Sequence, residues 1–60
     1  MAINTSKGAA SEAFVETGLA DHADDAGLPQ KAARHRSRAI ELYRLAEKLR
    51  IDEAAEETRH

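Results

Sequence analysis

Apolar side chains recur at three- and four-residue intervals in two blocks, one on each side of the triplet Gly27-Leu28-Pro29. On a helical wheel at about 100° per residue, Val15, Leu19, Ala23 and Ala26 share one side of the first block, and Ala9, Ala13 and Ala20 extend it. Phe14 falls off that face. The pattern predicts a helix over about 9–26, in which Gly18 costs about 1 kcal/mol relative to alanine. In the second block Ala32, Ala39, Leu42, Ala46 and Leu49 form a stripe with Tyr43 beside it. Leu45 widens one edge of that stripe, and Ile40 and Ile51 the other. This second helix is expected over about 29–55, and its apolar arc is wider than one facing helix can cover.

The triplet between the blocks is a stop followed at once by a start. Gly27 suits the left-handed position just past a helix, Leu28 the apolar contact that accompanies such an ending, and Pro29 the first turn of a new helix. A connection this short makes the two helices antiparallel neighbours. The predicted fold is therefore all-α: an antiparallel helical hairpin, completed to a four-helix bundle by dimerisation. Residues 1–8 are expected to be a flexible lead-in, 9–55 the hairpin and 56–60 a frayed, charged C-terminus. There is no internal repeat.

Composition explains why a second chain is expected. Of the 25 apolar residues, 13 are alanine, which buries little surface, and no cysteine is present to cross-link so short a chain. Leu42, Tyr43, Leu45 and Leu49 outmatch the surface that the first helix offers, chiefly Val15, Leu19 and alanines. The expected protein interface comprises Leu19, Ala39, Leu42, Tyr43, Leu45, Ala46 and Leu49. No continuous apolar segment resembles a signal peptide or a membrane span, so cytoplasm is the expected location and no membrane partner is expected.

A net charge of −2 conceals an uneven distribution. Residues 1–30 carry Lys7 against Glu12, Glu16, Asp21, Asp24 and Asp25, whereas 31–38 hold Lys31, Arg34, Arg36 and Arg38 with no acid. Acids late in the first helix and cations early in the second both oppose the helix macrodipole. A tight hairpin brings the two sets together, and a charge match across the turn is the simplest reading. The other is an anion or nucleic-acid contact by Lys31, Arg34, Arg36 and Arg38, weakened by their scatter around the helix and by the near absence of aromatic stacking groups. Along the second helix, Arg38–Glu41, Glu47–Arg50 and Lys48–Asp52 stand at pairing distance.

Catalytic chemistry finds little support. His22, His35 and His60 lack an i, i+4 ligand spacing, although a hairpin brings His22 and His35 toward one another. Gly8, Gly18 and Gly27 are isolated and form no phosphate loop. Ser37 and His35 have no oxyanion donors to work with. No cofactor, metal or catalytic residue is expected, and the chain is expected not to be an enzyme. The expected function is a small protein–protein interaction module, a regulator or inhibitor that binds a helix of a partner, its own second copy included. A nucleic-acid-binding protein using 31–38 is the alternative, and a structural subunit of a larger assembly a further one.

Overall fold

The computed structural model describes residues 5–58 of the 60-residue chain. Two helices, α1 over Ser6–Asp25 and α2 over Pro29–Thr58, run antiparallel across a tight turn. Residues 1–4 and 59–60, parts of the expected lead-in and charged terminus, lie outside the described residues. Of the rest of those segments Thr5 caps a helix and residues 6–8 and 56–58 are helical: α1 starts three residues before the expected position and α2 runs three residues past it. The early start follows from Thr5, whose extended backbone and Oγ1, accepting from the Gly8 N–H at 3.0 Å, satisfy a donor that the first turn leaves open.

The turn behaves as its sequence implies. Gly27 takes a φ of +77°, the Leu28 N–H donates to the Ala23 carbonyl at 2.8 Å, and the Gly27 N–H donates to the Asp24 carbonyl at 3.0 Å. These two bonds close a Schellman motif. The Leu28 carbonyl then accepts from the Ala32 N–H at 3.0 Å, opening α2 with Pro29 in its first position. One residue thus ends α1 and begins α2, which leaves no slack for the helices to diverge.

The seam between the helices consists of small side chains. Ala9, Ala13, Ala20, Ala23, Ala32, Ala39 and Leu42 form the buried core, and Leu42 is its one large member. Spaced 9, 13, 16, 20, 23 on α1 and 32, 35, 39, 42, 46, 49 on α2, the seam positions alternate steps of three and four, the repeat of a coiled coil. Alanine there lets two backbones approach closely.

On α2 the seam follows the expected stripe. On α1 it does not. Ala9, Ala13, Ala20 and Ala23 form the contact, while Val15 and Leu19, expected at the centre of the buried face, are 52% and 42% exposed. The reason is steric: alanines at 9, 13, 20 and 23 make a flatter strip than any centred on Val15 and Leu19, and close approach favours the flatter strip.

A run of equivalent alanines would tolerate sliding, and two polar contacts oppose it. Glu16 and His35 sit within the seam, with His35 Nδ1 2.6 Å from Glu16 Oε2. At the open end, Ser6 donates twice to the Glu53 carboxylate, from its backbone N–H at 2.9 Å and from Oγ at 2.5 Å. Each contact forms in one register only, the use of polar seam groups best attested in coiled coils. The result is a rod of 51 × 16 × 15 Å. Its radius of gyration is 14.1 Å, against about 10 Å for a compact domain of this length.

Candidate protein-binding surface

Two long flanks run along the rod, one on each side of the alanine seam, and they differ in charge arrangement. On the first flank two cations, Arg36 and Arg50, are already paired. Arg36 of α2 reaches across to α1, hydrogen-bonding Asp24 and lying 3.4 Å from Asp21. The Asp24 carboxylate, more than Asp21, raises the guanidinium pKa above its ordinary value. Glu47 and Arg50 pair along α2 at 2.6 Å. Tyr43 lies on this flank, in an open groove lined by Ser6, Lys7, Ala10, Ala46, Glu47 and Arg50. On the wheel Phe14, Ile40 and Ile51 fall farther out on the same side, and they are 75%, 53% and 60% exposed.

The charge match expected at the turn therefore exists, carried by one of the four cations. Arg36 makes it, and Lys31, Arg34 and Arg38 have no acid within ion-pairing distance among the described residues. The i, i+3 pair of Glu47 with Arg50 forms, whereas Arg38–Glu41 and Lys48–Asp52 do not. Long exposed side chains gain too little from pairing to be held by spacing alone.

The opposite flank carries Leu19 and Val15 from α1 and Leu45 and Leu49 from α2. The residues expected to form one interface are thus divided three ways. Ala39 and Leu42 are buried in the seam, Leu45, Ala46 and Leu49 are half-buried beside it, and Leu19 and Tyr43 are exposed on opposite flanks. The sequence pattern put them together because a wheel drawn for one helix does not show where its neighbour sits.

His35 is held by Glu16, a partner that sequence reasoning did not assign, and the two side chains are 23% and 20% exposed. An acid and a histidine that both fall on seam positions once the alanines define the seam are the signal that finds this pair. Among the described residues no three His, Asp or Glu side chains gather into a metal-binding cluster; His60 lies outside those residues. At the open end, the Glu53 carboxyl is held below its ordinary value of 4.5 by the Ser6 hydroxyl and, after it, by the Ser6 backbone N–H. Among the described residues no helix is long and apolar enough to cross a membrane. The chain matches no family model, no curated protein and no solved structure.

Proposed function

We propose that this chain is a protein–protein interaction module whose apolar flanks are covered by helices of a partner chain, so that it acts by masking those helices rather than by catalysis. The observation that carries this reading is an inversion of side-chain size. The buried core is alanine with one leucine, while Phe14, Val15, Leu19, Leu28, Ile40, Tyr43 and Ile51 are between 42% and 75% exposed. A single exposed leucine is ordinary, but a two-layer rod with most of its large apolar groups outside has the surface of a partly assembled bundle.

Surface area supports the same reading. The chain exposes 4813 Å², against about 3,900 Å² for a folded monomer of 6.6 kDa. The excess, about 900 Å², is close to the ~800 Å² that each partner contributes to an interface of standard size.

A photo-crosslinking side chain placed at Phe14 or Tyr43 in living cells tests the reading. A discrete adduct with a second polypeptide is expected at both positions. Lys48, which lies on the outer back of α2, is the control and should give none. Equal labelling at all three positions, or at none, would overturn the proposal.

A further inference from the structure

One side of α2 carries an order that neither the hairpin nor its turn requires. Eight described residues of α2 fall within an arc of about 80° on the wheel, running outward from the edge of the seam, where Leu42 is buried, on the flank away from Arg36. In chain order they are Lys31, Arg34 and Arg38, then Leu42, Leu45 and Leu49, then Asp52 and Glu56. Cations occupy the turn end, leucines the middle and carboxylates the open end. None of these five charged groups has an ion-pair partner among the described residues, although Arg36 and Arg50 on the other flank both have one.

The order also opposes the helix that bears it. The first turn of α2 contains no acid and its last turn no base, so cations gather near its positive end and carboxylates near its negative end. Both placements disfavour an isolated helix. Contact with α1 satisfies Arg36 and Glu53, neither of which lies on this arc. A second helix laid antiparallel against this arc would reverse both the charge order and the dipole, and would set cations against carboxylates on either side of the leucines.

We infer that the occupant of this flank is a second copy of the chain, with the two α2 helices antiparallel and a two-fold axis near Leu45. That axis sets Arg38 against Asp52 of the second copy, seven residues to either side of Leu45. It sets Arg34 against Glu56 of the second copy, eleven residues to either side. At 1.5 Å per residue these pairs stand about 10 Å and 16 Å from the axis, flanking a leucine centre made by Leu45 and Leu49 of both copies, with the buried Leu42 beneath it. The contact is isologous, so each ion pair occurs twice. It needs no free charge to be buried, because the charges occupy the rim and the leucines the centre. Phe14, Ile40 and Tyr43 stay uncovered on the other flank, where a different chain can dock. This inference rests on the interaction-module reading and names one occupant of its surface.

Charge reversal in the full-length chain tests it. One variant carries Arg34→Glu and Arg38→Glu, the other Asp52→Lys and Glu56→Lys. Both changes place charge in the sense the helix dipole favours, so far-ultraviolet circular dichroism should show helicity equal to or above that of the unaltered chain. Sedimentation equilibrium over a hundredfold range of concentration should show the unaltered chain passing from about 6.6 kDa to about twice that mass. Each variant alone faces like charge with like at four sites, and its dissociation constant should rise about tenfold or more. Mixed in equal amounts, the two variants should form a heterodimer within about threefold of the original affinity, because every opposed pair is again of opposite sign.

An unaltered chain that stays monomeric throughout overturns the inference, as do variants that fail to recover on mixing. If the monomer binds a short DNA or RNA and only the Arg34/Arg38 variant loses that binding, the cations serve nucleic acid and self-association is overturned. Each of these results leaves the crosslinking at Phe14 and Tyr43 untouched, so failure of the dimer and failure of the broader reading are separable.

Discussion

Inside and outside differ in this hairpin in the reverse of the usual sense. The seam is built from alanines of which Ala9, Ala13, Ala20 and Ala32 are wholly inaccessible, while the flanks display phenylalanine, tyrosine and isoleucine to solvent. Folded domains ordinarily bury their largest apolar groups and leave alanine where it falls. Here closeness of approach takes the place of volume: small side chains bring two backbones together, and many weak dispersion contacts along the rod replace a few large buried groups. The difference teaches that the two sets of apolar residues answer to different demands. The alanines hold the chain to itself, and most of the large groups take no part in that contact.

That division can be broken from the inside most severely. Ala20→Leu inserts three carbons where no space exists and should destabilise the hairpin by about 3 kcal/mol, read as a fall in the thermal midpoint of circular dichroism. Phe14→Ser, on the outer surface, should change the same midpoint by no more than about 0.5 kcal/mol equivalent, despite removing the larger side chain. Equal losses from the two substitutions would mean that Phe14 belongs to the fold after all.

The next effect is conformational and compares two glycines. Gly27 holds a positive φ at the turn, so Gly27→Ala should cost about 1–2 kcal/mol in chemical denaturation. Gly18 lies within α1 with nothing near enough to meet an added methyl group, so Gly18→Ala should stabilise by about 1 kcal/mol. Opposite signs at the two positions separate the residue that makes the hairpin from one that merely tolerates it.

The smallest effect is the pH dependence at the open end. The Glu53 carboxyl is lowered in the folded state, so its contribution is complete above the ordinary value of 4.5 and is lost as pH falls through the lower folded value. Glu53→Gln should flatten the acid limb of stability against pH, and Ser6→Ala should flatten it similarly because the Ser6 hydroxyl is the first cause of the shift. An unchanged acid limb in both variants would assign it to other carboxylates.

Much of the architecture was legible because it is local. A glycine that must take positive φ and a proline that must open a helix meet at residues 27–29, and the hairpin follows from them alone. The start of α1 was harder to read, since Thr5 as a cap competes with an otherwise loop-like composition. The α2 stripe through Ala32, Ala39 and Leu42 was legible because its apolar positions agree on one direction. The α1 stripe was not, because Val15 and Leu19 carry more hydrophobic weight than alanine in any periodicity argument and pull the expected face toward themselves.

What the amino-acid order by itself determined is therefore the helices, their antiparallel sense and the shortage of large groups between them, all consequences of backbone geometry over a few residues. Which alanines meet, that Arg36 rather than Lys31 or Arg34 answers Asp21 and Asp24, and that Glu16 holds His35 were decided only by the tertiary structure. Those outcomes depend on the rotation of one helix against the other. Rotation is set by the closest approach of two surfaces, which neither helix carries alone.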